Sequence, residues 1–310
     1  MPSNLRPRKP FATLATLVLL IAALSALAQD DKPARAPDSL VKINVMVTDR
    51  ADRVVEDVRK EDLQVLEDGA PQIVSQFGRD ERPVACGFVI DASGSVRRIL
   101  PELIDSAKLV AAGLREGDEG FVARFVDSFQ IKQEMTADRE AIAETIDDIY
   151  VQGGQTAFLD AVEQSIQYLE ENQSGDANSR RPILVLVTDG EDRGKTKDSK
   201  TVLARVRQSN VQIFVLALTK FSSLQSSSKR AVELLNDLAE QSGGRALFPE
   251  TPSGLPTVAR EIARDLHTQF TVGYDAGNKS TAERHIQAKW LGRADQGNRK
   301  VITRPVVTVK

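Results

Sequence analysis

Five side chains could together do inorganic chemistry. A mostly apolar run, Val84 to Ile90, stops abruptly at Asp91-Ala92-Ser93-Gly94-Ser95. One carboxylate and two hydroxyls at this spacing are hard oxygen donors suited to Mg2+. Ser93 and Ser95 are two residues apart and turn the same way, and Gly94 relaxes the turn between them. Thr156, after Gly153-Gly154-Gln155, offers a third hydroxyl where an amphipathic run begins; its alternative role is a helix N-cap. Asp189 closes a second apolar run, Ile183 to Thr188, and is followed by Gly190. Three hydroxyls and two carboxylates suit an octahedral Mg2+, and the same donors leave Mn2+ and Ca2+ open. The lack of His or Cys among these donors disfavours zinc.

Those donors need strands ending side by side. The run through Ile90 has the unbroken hydrophobicity of a parallel strand buried on both faces, and so does the run before Asp189. Between and after them, amphipathic helices alternate with strands: a helix from Leu100 with Pro101 in its first turn, strand 120–126, helix 138–149, a helix after Thr156, helix 198–209, strand 211–218, helix 229–241 closed by Gly243-Gly244, strand 245–248 and helix 255–266. Asp127 and Ser128 are too short a link for a parallel crossover, so 129–135 should return antiparallel at the sheet edge. The expectation is a doubly wound, mostly parallel Rossmann-like α/β sheet with helices on both faces. Asp91 and Asp189 would flank the crevice where the strand order reverses.

The ends of the chain read differently. Arg6, Arg8 and Lys9, an apolar stretch from Phe11 to Leu24, and Ala26-Leu27-Ala28 have the order of a secretory signal, expected to be cleaved before Gln29. Retention as an anchor is the alternative. Residues 29–40 are a polar, Pro-containing linker. Val41, Ile43, Val45 and Val47 alternate with Lys42, Asn44, Met46 and Thr48, as in a strand with one buried face. Leu63 to Leu66 form a second strand, Glu67-Asp68-Gly69 signals a hairpin, and Gln72 to Phe77 form a third strand. The tail gives strand signals at 269–274, 285–290 and 301–309. Neither end holds enough apolar residues for its own core, so the two are expected to pair into one small β module. The resulting division is signal peptide 1–28, linker 29–40, N-terminal β module 41–82, α/β domain 83–267, and C-terminal strands 268–310.

Composition bounds the function. With 41% hydrophobic and 27% charged residues, the 310-residue chain can bury a core. Its formal net charge is −3, and all three cations of the first 28 residues would leave with the signal, which disfavours a nucleic-acid binder. Cys86 is the single cysteine, so no internal disulfide forms, and its place in an apolar strand marks it as a small buried hydrophobe. His267 and His285 lie outside the motif segments. Gly-x-Ser-x-Gly and a phosphate loop are absent.

Asp-x-Ser-x-Ser at Asp91, Ser93 and Ser95, the separate Thr156, and Asp189 resemble, in order, the metal-ion-dependent adhesion site of the von Willebrand factor type A domain. The resemblance covers roughly 83–267. With the signal, the short β segment containing Lys60-Glu61-Asp62-Leu63 and Glu67-Asp68-Gly69, and the strand-rich tail, the whole chain looks like the bacterial secreted subgroup. The resemblance implies a non-enzymatic, exported module, periplasmic or at the cell surface, that uses the metal to bind the Asp or Glu carboxylate of a protein partner. In the family the serines and threonine ligate the metal directly and the aspartates often act through water. Glu191, Asp192 and Arg193 could rim the site. The competing classes are a Mg2+-dependent hydrolase and a structural scaffold with an unused metal site.

Overall fold

The computed structural model describes residues 40–154, 156–172, 175, 179–190, 197–218, 225–277, 283–292 and 297–308. All belong to one compact unit, Ser39–Lys310. The expected signal and most of the linker lie outside the described residues, as do Glu191, Asp192 and Arg193.

The site is carried by a six-stranded sheet. In chain order its strands are β5 (Val84–Asp91), β6 (Glu119–Phe125), β7 (Phe129–Thr136), β8 (Arg181–Thr188), β9 (Gln212–Ala217) and β10 (Arg245–Leu247). Their spatial order is β10-β9-β8-β5-β6-β7. Every pairing is parallel except β6 with β7, the antiparallel edge hairpin expected from the short 127–128 link. Helices α1 (Leu100–Ala111), α2 (Arg139–Asp147) and α6 (Leu255–Asp265) contribute to the apolar cluster on one face. Helices α3 (Phe158–Asn172), α4 (Ser199–Gln208) and α5 (Gln225–Ser242) contribute to that on the other. β5 shows why the sequence runs apolar without a break. Val84, Cys86, Phe88 and Ile90 enter the first cluster, and Ala85 and Val89 enter the second. Cys86 is fully buried and its thiol is pushed well up by desolvation, as a packing residue should be.

The chain ends form two four-stranded sheets, β13-β1-β11-β4 and β14-β12-β2-β3. The strands are β1 (Leu40–Thr48), β2 (Leu63–Glu67), β3 (Ala70–Gln72), β4 (Val74–Arg79), β11 (Phe270–Asp275), β12 (Glu283–Trp290), β13 (Lys300–Thr303) and β14 (Val306–Thr308). Early strands pair with late ones in both sheets: β1 with β11 and β13, β4 with β11, β2 with β12. Val45, Val65, Val272 and Tyr274 meet in a shared core, so each end supplies the apolar surface the other lacks. Asp68 and Gly69, at φ 51° and 82°, make the left-handed turn joining β2 to β3 at the expected hairpin.

Three expectations change. The run 72–77 is two strands in different sheets, broken at Ile73, whose side chain is exposed. The run 301–309 likewise divides between β13 and β14 around Pro305, which has no amide to continue a ladder. In β1 the alternation fails at Met46 and Thr48, which are also buried. Met46 packs into the α/β core, so this end of the strand is covered on both faces.

Candidate metal centre

The strand order reverses between β5 and β8, which are adjacent and parallel. Asp91 is the last residue of β5 and Asp189 follows the last of β8. Asp91 is fully buried. Its Oδ1 accepts the Ser93 amide at 2.9 Å, and its Oδ2 accepts the Thr188 hydroxyl at 2.8 Å. The Thr188 hydroxyl in turn accepts the Gly190 amide at 2.9 Å. Gly190 has φ +79°, which turns the chain sharply after Asp189. The Ser93 and Ser95 hydroxyls are hydrogen-bonded at 2.9 Å, so they do turn the same way. Ser93 and Asp189 are buried. Ser95 is partly exposed and opens a short 3-10 turn, Ser95–Arg98.

The loop before α3 is tied to the same corner. The Gln152 amide donates to the Ala92 carbonyl at 3.1 Å, and the Ala92 amide donates to Phe125 at 3.1 Å. The Ala157 amide donates to Val126 at 2.6 Å. A Cβ added to Gly154, at φ +103°, would lie 2.6 Å from Asp127 Oδ2, so only glycine lets the loop approach so closely. Thr156 is buried in this loop. It does not occupy the N-cap position: α3 starts at Phe158, and Ala157 accepts the first helical bond, from the Ala161 amide at 3.1 Å.

Asp91, Ser93, Ser95, Thr188 and Asp189 therefore gather at the ends of β5 and β8, with the Thr156 loop hydrogen-bonded to the same corner. Neither Thr188, which holds Asp91 in place, nor Asp127, which lies against Gly154, stands out in the sequence as a site residue. A strand-ending threonine beside an aspartate was the available signal for the first. The histidines are elsewhere. His267 Nε2 lies 3.1 Å from Asp118 Oδ2, and Asp118 Oδ1 accepts the amide of Val84 at the opposite end of β5 from Asp91. His285 is exposed on β12.

The donor set fits a hard divalent cation. Burial, then the neighbouring charge of Asp189, pushes the Asp91 carboxyl up to about 7 against the hydrogen bonds from Ser93 and Thr188. Two carboxylates in a dry crevice repel each other, and a cation between them would remove that cost. Among the described residues no group of three or more His, Cys, Asp or Glu is gathered as a metal cage. A site of two acids and several hydroxyls suits an ion that keeps some of its water.

A model of the von Willebrand factor type A domain matches residues 87–284. The chain belongs to this family. Domains of the family typically mediate protein–protein interaction. No curated protein matches. Among solved structures, proximal thread matrix protein 1 from the mussel byssus is 17% identical, aligning over 64% of this chain and 50% of its own with TM-score 0.50. That protein has also been solved with a zinc-occupied MIDAS motif. A von Willebrand factor type A protein from Catenulispora acidiphila is 13% identical over 87% of this chain and 72% of its own, with TM-score 0.48. An aerotolerance-related membrane protein from Bacteroides fragilis is 16% identical over 58% and 99%, with TM-score 0.46. At these identities the likeness is one of fold. Among the described residues no helix is long and apolar enough to cross a membrane.

Proposed function

We propose that this chain is an exported von Willebrand A-type module that binds a protein partner through a divalent metal, Mg2+ in the first instance. Asp91, Ser93, Ser95, Thr156 and Asp189 hold the ion. The observation that carries the reading is the pair of buried carboxylates, Asp91 and Asp189, at the strand reversal, flanked by hydrogen-bonded serine hydroxyls. When bound, the ion supplies an electrophilic position for one further oxygen ligand. If the serine and threonine hydroxyls hold the ion directly and the aspartates act through water, as the family resemblance implies, its charge stays available for the Asp or Glu carboxylate of a partner. The chain's own task is to hold Asp91 fixed, through the Ser93 amide and the Thr188 hydroxyl, and to keep the crevice dry. The binding reading is favoured over metal-assisted hydrolysis because both histidines stand away from the crevice, leaving no imidazole base beside it.

Calorimetric Mg2+ titration tests the assignment. The parent should bind one ion, and Asp91→Ala should bind none; unchanged affinity in Asp91→Ala would sink it. Export is tested separately by N-terminal sequencing of envelope-derived protein, which should begin at Gln29 rather than Met1.

A further inference from the structure

A cavity lies at the end of the sheet opposite Asp91 and Asp189. It has a volume of about 820 Å3 and is bounded by β1, by the segment Arg79 to Arg82 leading into β5, and by the starts of β8 and β9. We propose that it binds a small oxyanion carrying two or more negative charges, of the phosphate or polycarboxylate class. The volume is that of a small-molecule site.

The charge on its walls runs against that of the chain. The formal charge of the whole is −3, yet the cavity is lined by Lys42, Arg79, Arg82, Arg180, Arg181 and Arg304. The acids in the lining are Asp80 and Glu81. Asp80 is already committed. Its Oδ2 lies 2.6 Å from Arg82 Nη2 and 3.6 Å from Arg181 Nε, and it accepts Asn44 Nδ2 at 2.9 Å. One carboxylate thus faces two guanidinium groups.

Arg181 is the least satisfied of the cations. Its side chain is 4% exposed. Nη2 donates to the Leu266 carbonyl, whereas Nε and Nη1 have no hydrogen-bond partner. Burial, with repulsion from Arg82 and Arg115, depresses its pKa to about 10 despite the nearby Asp80 and Asp118. Arg304 spends its donors on main-chain carbonyls, among them Val211 at 2.9 Å and Ser242 at 3.3 Å, so its charge meets no carboxylate there. Arg180 is already paired with Glu119 at 3.3 Å and Arg79 with Glu56 at 2.9 Å, so the charge short of a partner is that of Lys42, Arg181 and Arg304. Buried cations short of counter-charge are costly unless an anion joins them. Arginine forks match the oxygens of phosphate and carboxylate, and Lys42, Arg79 and Arg82 are exposed enough to meet a ligand from the mouth. Arg181 and Arg304 stand behind them as fixed charge.

The test uses the full chain freed of metal on a chelating resin, so that no metal mediates anion binding, at ionic strength held constant with chloride. Pyrophosphate and citrate are titrated by calorimetry. Saturable one-to-one binding of at least one is expected. Lys42→Glu and Arg82→Gln should each weaken it by about tenfold or more, a change of about 1.4 kcal/mol, and Asp91→Ala should leave it unchanged. Lys42 is exposed, so Lys42→Glu keeps the test valid if Arg82→Gln misfolds, and thermal unfolding in chloride checks both. Absence of saturable heat with either probe overturns the proposal, as does binding that neither substitution alters. Binding to phosphatidylglycerol vesicles without response to the soluble probes would put the anion on a lipid and also overturn it.

Discussion

Asp91 is held in its buried, charge-ready position by a neutral side chain. The Thr188 hydroxyl satisfies both the Asp91 carboxylate and the Gly190 amide, so Thr188→Val unpairs two buried groups at nearly constant volume. The expected result is about 1–3 kcal/mol lost in urea unfolding, together with weaker Mg2+ binding by calorimetry. Thr156→Ala should behave differently. Because Ala157 holds the N-cap position, the loss of about 1 kcal/mol expected from removing a cap should be absent while Mg2+ affinity falls; the reverse pattern would return Thr156 to a structural role. The raised pKa of Asp91 has a sign that can be checked. A carboxyl whose folded pKa is about 7, above its ordinary 3.8, holds its proton more tightly in the native state. Metal-free protein should therefore lose stability as pH rises from about 4 through 7. If Asp91 holds the ion as proposed, binding requires its carboxylate, and the rise in melting temperature on adding Mg2+ should grow over the same window. Asp91→Asn should flatten both trends, and a Mg2+ effect as large at pH 5 as at pH 8 would contradict them. These roles were only half legible in the sequence. Asp91, Ser93 and Ser95 announce themselves by type and spacing, whereas a threonine ending a strand is an ordinary β-former, and its bond to Asp91 exists only because β8 lies beside β5.

At the level of elements, hydrophobic pattern reported what each segment is and little of where it goes. The doubly wound sheet was readable because each parallel strand must be apolar on both faces and each helix on one. The two corner-turning runs were not, since residues 72–77 and 301–309 keep a strand's composition while changing sheets. Period-two patterning carries no information about the partner strand. The second of these corners is where the tail meets the α/β part. Arg304, between β13 and β14, donates to carbonyls in the last turn of α4, just beyond it, and at the end of α5, where the helix dipole favours a cation. Its close approach depends on Gly243. That residue has φ +77°, and an added Cβ would stand 2.7 Å from the Arg304 backbone nitrogen. Gly243→Ala combines left-handed strain with a backbone clash, and a loss of about 1–3 kcal/mol is expected in thermal or urea unfolding. A loss no larger than that of Gly277→Ala would show that the contact is unimportant, because Gly277 has φ +65° with open space around it.

Across the whole molecule, early and late strands are joined by a buried ionic contact as well as by apolar packing. Glu67, at the end of β2, is fully buried. Its Oε1 accepts Arg284 Nη1 at 2.7 Å from β12, and its Oε2 accepts the Tyr274 hydroxyl at 2.7 Å from β11. Residues 207 and 217 positions apart in the chain thus converge on one carboxylate. The Tyr274 hydroxyl is pushed above its ordinary pKa by burial and then by Glu67, so it remains a donor across the working pH range. An apolar contact would tolerate several registers between β2 and β12, whereas this carboxylate is satisfied in one, pairing Glu67 opposite Ile286. Arg284→Ala would leave a buried negative charge without its guanidinium partner, at a cost of about 3–5 kcal/mol. Replacing the pair together, Glu67→Gln with Arg284→Met, removes the charge and keeps the volume, and should recover most of that loss. Urea unfolding of the parent, the single and the double variant separates the terms, and limited proteolysis should show new cleavage in 41–80 for Arg284→Ala. If Arg284→Ala stayed within about 1 kcal/mol of the parent, the level of an exposed pair, the contact would not be what joins the two ends. If the double variant proved no more stable than the single, lost packing rather than the stranded charge would be the cause.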